Sequence, residues 1–169
     1  MLVVDYNPEW PAMFQAEAAK IARILGDNLL TIHHIGSTSV PGLRAKPIID
    51  MMPVVRDISL VDECKSQMAE LGYEAMGEFG LPGRRYFRKG GHERTHHVHC
   101  YSISSSEEIE RHLAFRDYLR AHPDVARAYG ELKAHLAQEH PGDANAYADG
   151  KDAFVKAVEH DAMAWKRAL

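Results

Sequence analysis

Asp50, His97 and His99 are the residues of this chain whose types and spacing are best suited to chemistry. Asp50 stands inside Pro47-Ile48-Ile49-Asp50-Met51-Met52-Pro53-Val54-Val55, an apolar run of the kind that forms a strand buried on both faces. A buried carboxylate left unpaired costs several kcal/mol, so it must be protonated, ion-paired or bound to a metal. His97 and His99 lie in Arg94-Thr95-His96-His97-Val98-His99-Cys100. Side chains alternate along a strand, so His97 and His99 project from one face and His96 and Val98 from the other. Two imidazoles at i and i+2 suit a shared metal ion or a general base beside a ligand. The plainer alternative is an ion-paired aspartate and two hydrogen-bonded structural histidines.

A second group of residues has the chemistry of phosphate binding. Gly36, Ser37 and Thr38 end an apolar segment, where glycine admits a ligand close to the backbone and the hydroxyls add donors. The competing reading is a simple turn, closed by Pro41-Gly42 in type II geometry. Lys46 lies between this turn and Asp50. Arg85 shares a strand face with Phe87 and Lys89, which a solvated edge would also explain. Tyr129 and Lys133 are four residues apart, as are Tyr147 and Lys151, so each pair occupies one helical face. Such a pair can pack its ring on an organic group and present its amine to a phosphate. An amphipathic surface with half-buried tyrosines accounts for the same spacing.

These residues must be positioned by a domain of 169 residues, 46% hydrophobic and 26% charged, with a formal net charge of −4. The length suits one domain over 1–169 with a substantial core. The negative charge argues against a sequence-independent nucleic-acid coat, which needs many Lys and Arg to displace counterions. No apolar run reaches the ~20 residues of a membrane span, and Met1-Leu2-Val3-Val4-Asp5 is not a secretory leader. Cys64 and Cys100 lack CxxC spacing and read as reduced thiols, which points to the cytoplasm.

The pattern predicts a helix over 8–25, opened by Asn7-Pro8 and closed by Gly26. Strands are expected over 29–35, 48–55, 73–78, 84–89 and 96–102, with a helix over 60–71. The last two strands form a hairpin through Gly90-Gly91-His92-Glu93-Arg94. Three helices follow, starting at Ser106, Pro123 and about Ala144. A helix, then mostly strands, then helices indicates an α+β fold.

The chain resembles the GrpB-like proteins across nearly its whole length. The resemblance rests on Asp5-Tyr6-Asn7-Pro8-Glu9-Trp10, on His34-Ile35-Gly36-Ser37-Thr38-Ser39-Val40-Pro41-Gly42-Leu43, and on Ala45-Lys46-Pro47-Ile48-Ile49-Asp50. Arg94-Thr95-His96-His97-Val98-His99, Phe115-Arg116-Asp117-Tyr118-Leu119-Arg120 and the Tyr–Lys helices continue it. It implies a nucleotidyltransferase fold of the polymerase-beta type, a small mixed sheet flanked by helices. Related domains occur fused to dephospho-CoA kinase, but no GxxxxGK[ST] loop is present in this sequence. The superfamily pattern maps its glycine-serine turn onto Gly36-Ser37 and its first carboxylate onto Asp50. Its second carboxylate falls at Met52, and its third belongs on a later strand, where His97 and His99 stand. Three carboxylates holding two Mg²⁺ ions is the usual route to in-line transfer. One carboxylate with two histidines is a softer set, closer to Zn²⁺, Mn²⁺ or Fe²⁺ than to Mg²⁺. The resemblance therefore implies a nucleotide or phosphorylated small molecule as ligand, held at Gly36-Ser37 with a divalent ion at Asp50, His97 and His99. A binding or chaperone-like module that kept the fold without the chemistry is the rival expectation.

Overall fold

The computed structural model describes residues 2–169. Its contacts gather into two compact units, one formed by Glu9–Ile35 and Ile48–Ile109, the other by residues through Pro8, Gly36–Pro47 and Glu110–Leu169. The first is built on a mixed sheet, the second on helices.

In the sheet unit, α1 (Trp10–Leu25) carries Pro11 in its first turn, where the missing N–H has no intrahelical partner to lose. Trp10, Phe14, Ala18, Ile21 and Leu25 recur at helical spacing and are all buried, so one stripe of the helix faces the sheet. Gly26 ends it with φ +56, a conformation that costs glycine nothing. The strands are β1 (Leu29–Ile35), β2 (Ile49–Val55), β3 (Tyr73–Ala75), β4 (Arg85–Lys89) and β5 (His96–Ser102), in the order β1-β2-β5-β4-β3. β1 pairs antiparallel with β2, β2 runs parallel to β5, and β5-β4-β3 is antiparallel throughout. The mixed sheet with flanking helices is the architecture expected of the α+β reading.

Three local expectations shift. The first helix starts at Trp10 behind Glu9, two residues past the Asn7-Pro8 opening expected for it. The stretch expected as one helix over 60–71 is a 3-10 segment, Ile58–Cys64, followed by a short α2 (Lys65–Glu70). Asp57 accepts hydrogen bonds from both the N–H (2.9 Å) and the hydroxyl (2.6 Å) of Ser59, which tightens the first turn. The strand expected to reach Glu78 stops at Ala75, because Gly77 turns the chain at φ +61. The β4–β5 hairpin forms as expected, and Gly90 is required in it. At φ +107 a Cβ there would run into the Glu93 carbonyl oxygen.

The helical unit contains most of α3 (Ser106–Ala121), with α4 (Pro123–Glu139) and α5 (Ala144–Arg167). Val40, Leu43, Leu119, Ala126, Tyr129 and Val158 form its core, with Phe115, Tyr118 and Phe154 packed against them. Asp143 caps α5 by accepting from the Ala146 N–H at 3.0 Å. The Gly36–Pro47 segment contributes a 3-10 turn (Ser37–Ser39) and a turn over Pro41-Gly42, closed by Leu43 N–H donating to Val40 O at 3.2 Å with Gly42 at φ +81. Those values are the type II geometry expected there.

Candidate functional site

The parallel register of β2 and β5 sets Asp50 beside His97. His99 is two residues further along β5 on the same face, so all three side chains meet above one side of the sheet. Nε2 of His99 lies 3.1 Å, and Nδ1 of His97 3.3 Å, from the same oxygen, Oδ1 of Asp50. Each imidazole donates to that oxygen when its proton sits on the near nitrogen. The Asp50 side chain is 25% exposed, those of His97 and His99 23% and 15%. Burial alone would raise the Asp50 carboxyl. The hydrogen bonds from His97 and His99, with the charge these rings carry when protonated, outweigh it and hold the carboxyl well below the usual carboxylate range.

One oxygen and two imidazole nitrogens lie within 4.8 Å of one another, which fits the donor set of a single divalent ion. Two imidazoles and one carboxylate suit Zn²⁺, Mn²⁺ or Fe²⁺ better than Mg²⁺, which takes oxygen ligands. The set does not fit two Mg²⁺ ions held by carboxylates. At the position that would supply the second carboxylate, Met52 projects to the same face and is fully buried as a thioether.

Arg85 lies elsewhere. In the antiparallel β4–β5 register Tyr86 is opposite His99 and Arg88 opposite His97, so Arg85 points to the other face. There it holds Asp62 through two hydrogen bonds of 2.8 and 3.2 Å. That face is also covered by α1, where Phe14 stacks on His34 with ring centroids 4.8 Å apart. Glu17 of the same helix accepts from the Tyr73 hydroxyl and the Lys89 ammonium, both at 2.9 Å.

In the helical unit, Gly36 adopts φ +73 and is followed by the Ser37–Ser39 turn, in which the Ser39 N–H and hydroxyl both donate to Gly36 O. The buried Lys133 ammonium donates to Ser37 Oγ at 2.8 Å and lies 4.3 Å from the centre of the Tyr129 ring. Thr38 is buried. Lys46 and Lys151 lie over one ring, that of Tyr147, at 4.1 and 5.6 Å. Burial, then the neighbouring Lys151, lowers the Lys46 pKa. Two like charges over one ring form an environment that an anion would relieve. The rings themselves are interior: Tyr129 and Tyr147 are each 3% exposed, and Tyr129 is stacked on Phe154 with Phe115 at its edge. What they present to the lysines is a ring face, at 4.3 Å for Lys133 and 4.1 Å for Lys46.

Two aromatic residues near the Asp50 cluster were not singled out from sequence. Tyr86 packs its ring 5.6 Å from His97 and 5.2 Å from His99, and Phe79 stacks on Tyr86 at 5.1 Å. The strand phase of Arg84–Lys89 could have pointed to Tyr86, as the residue opposite in phase to Arg85 and Phe87. Nothing in the sequence ties Phe79 to this place.

Comparison with known proteins agrees with the fold and sets the family. The family model described as GrpB protein matches residues 1–161. The UPF0157 protein YqkA of Bacillus subtilis is 48% identical over 165 residues, which are 98% of this chain and 48% of that protein's length. This chain thus spans about half of that relative. The crystal structure of conserved protein GrpB from Enterococcus faecalis superposes with a TM-score of 0.95 at 50% identity, covering 98% of this chain and 99% of that one. Terminal uridylyl transferase 4 from Trypanosoma brucei, solved with bound dUTP, matches 86% of this chain and 52% of its own with a TM-score of 0.55 at 12% identity. That likeness is one of fold, and it is to a nucleotidyltransferase. With the family model covering all but the last eight residues, this chain belongs to the GrpB protein family.

Proposed function

We propose that this protein binds a phosphorylated small molecule, such as a nucleotide, together with one divalent ion, and that its chemistry is transfer or hydrolysis at the phosphate. The observation that carries the reading is the convergence of Asp50, His97 and His99 on one point. When bound there, a divalent ion supplies Lewis-acid polarisation of a phosphoryl oxygen. Asp50 contributes the negative charge, and the two histidines fix its orientation through Oδ1. Binding an ion requires the near nitrogens of both rings to be unprotonated, so metal and proton compete for the same two atoms. Within the helical unit, Ser37 with Lys133 behind it and the Lys46–Lys151 pair are groups suited to neutralising phosphate oxygens. The nucleotidyltransferase fold supports a nucleotide as ligand by analogy of architecture.

A thermal-shift screen tests the reading. Mn²⁺ or Zn²⁺, with and without ATP, should raise the melting temperature of the wild type, and Asp50→Ala should abolish the metal-dependent part. If no combination of ion and nucleotide moves the wild-type transition, the proposal fails.

One observation favours a second reading, a binding module without catalysis. Met52 fills the second-carboxylate position with a buried apolar side chain, so only a single ion can be held by the three ligands. In that case nucleotide and metal bind, but no phosphate product accumulates, and Asp50→Ala leaves association with a partner protein intact.

A further inference from the structure

Phe79 is the one described residue other than glycine with positive φ, at +48. A bulky L residue is seldom found there, and such conformations persist where the surroundings enforce them, often at ligand sites. The segment around it is Gly77-Glu78-Phe79-Gly80-Leu81-Pro82-Gly83-Arg84, with Gly77, Gly80 and Gly83 all at positive φ. Despite its glycines the loop is tied down. Arg84 donates through Nε to Glu78 O (3.2 Å) and through Nη2 to Phe79 O (2.8 Å), and the Gly83 N–H donates to the Glu78 carboxylate at 2.6 Å. Its base is held by Met76 N–H to Tyr86 O (2.9 Å) and Tyr86 N–H to Gly77 O (2.8 Å).

What this clamp presents is an aromatic ring that burial alone does not explain. Phe79 is 53% exposed, and its ring is stacked on Tyr86, interplanar angle 26°, with the Arg88 guanidinium 5.8 Å from its centre. Tyr86 in turn stands against both His97 and His99. A continuous run of rings therefore leads from the Asp50 cluster to an open aromatic surface flanked by a cation. Phe79 contrasts with Tyr129 and Tyr147, whose rings are interior.

We propose that Phe79 is the stacking surface for the planar part of the ligand, a nucleobase or other flat aromatic ring whose attached phosphate reaches the ion at Asp50, His97 and His99. The inference rests on the metal reading above and adds the class of ligand: flat and phosphate-bearing, not a plain sugar or lipid phosphate. Stacking is sequence-tolerant, because every base has a π-face, so the surface selects for a ring and not for a particular base. Arg88, opposite His97 in the β4–β5 register and ion-paired to Glu74 at 3.2 Å, keeps its planar guanidinium beside the Phe79 ring.

The test uses AMP and ribose 5-phosphate, which share a phosphate and differ in the ring, titrated calorimetrically into the Mn²⁺-loaded protein. Wild type should bind AMP about 10-fold more tightly than ribose 5-phosphate, the order of one base stacked on an aromatic side chain. Phe79→Ala should bring the two to parity while leaving the ribose 5-phosphate and Mn²⁺ affinities unchanged, and Phe79→Trp should restore the preference. A preference that survives in Phe79→Ala, or wild type that shows no preference or binds neither compound, overturns the proposal. The metal reading is judged separately by the Mn²⁺ titration. If Mn²⁺ does not bind, the AMP to ribose 5-phosphate ratio without metal still decides the role of Phe79.

Discussion

Two carboxylates on opposite sides of the same sheet, Glu17 and Asp50, are neutralised by different chemistry. Glu17 is 5% exposed and accepts from a lysine ammonium, which has no lone pair, and from the Tyr73 hydroxyl, which burial and the Glu17 charge hold in its protonated form. Its hydrogen bonds tie α1 to β3 and β4 and leave it nothing else to do. Asp50 is partly open and is met by two imidazoles, which can donate a proton or, having lost it, offer a lone pair to a metal. A permanent donor makes a strut, whereas a convertible one leaves a group that can serve as a site. The two arginines of β4 are each paired to a carboxylate, Arg85 to Asp62 on the α1 side and Arg88 to Glu74 at 3.2 Å, with Arg88 in register with His97.

The largest effect should come from the strut. Glu17→Ala leaves the partly exposed Lys89 ammonium and the buried Tyr73 hydroxyl without their acceptor and should destabilise by roughly 3–5 kcal/mol. That is a fall of roughly 6–20 °C in melting temperature for a chain of this size, read by calorimetry. Metal affinity should not change. A fall of under about 1 kcal/mol would mean that Glu17 and Asp50 are not the two kinds of carboxylate described. Next, His97→Gln and His99→Gln should each weaken Co²⁺ binding by at least about 10- to 100-fold, followed through its visible absorption. Both should move the melting temperature far less than Glu17→Ala does.

Glu17 also predicts a pH dependence. Burial works against its charge, but the hydrogen bonds from Lys89 and Tyr73 prevail and lower its pKa. A lowered folded-state pKa contributes stability that is complete above the unfolded value, roughly 4, and is lost as pH falls through the folded one. The wild-type melting temperature should therefore drop more steeply below about pH 4 than that of Glu17→Gln. The smallest effect belongs to Arg85→Gln. Its bridge to Asp62, a residue whose side chain is 38% exposed, should be worth roughly 0.2–1 kcal/mol, with metal and nucleotide binding untouched. A loss of AMP affinity in that variant would move Arg85 from the structural side of the comparison to the functional one.

Much of the site was legible from strand phase. The alternation in Arg94–Cys100 already put His97 and His99 on one face, and the apolar setting of Asp50 already demanded a partner. The partnership itself depends on β2 and β5 being parallel neighbours in a register that pairs Asp50 with His97. No local pattern encodes that pairing, because it joins residues 47 apart through the order of the whole sheet. Phase likewise grouped Arg85, Phe87 and Lys89, but which side of the sheet they take depends on where α1 packs. The helices after Ser106 were readable from caps and prolines. Phe79 was not, since its placement comes from a left-handed backbone and an arginine clamp that only tertiary structure reveals.

One titration tests the Asp50, His97 and His99 cluster most directly. Mn²⁺ added to the metal-free, tag-free protein in a calorimeter should bind at one ion per chain, and in Asp50→Asn that binding should be lost while the variant still melts in a single cooperative transition. Wild type that binds no ion, or an Asp50→Asn protein that binds it as tightly as wild type, would contradict the claim that Asp50, His97 and His99 form a metal site.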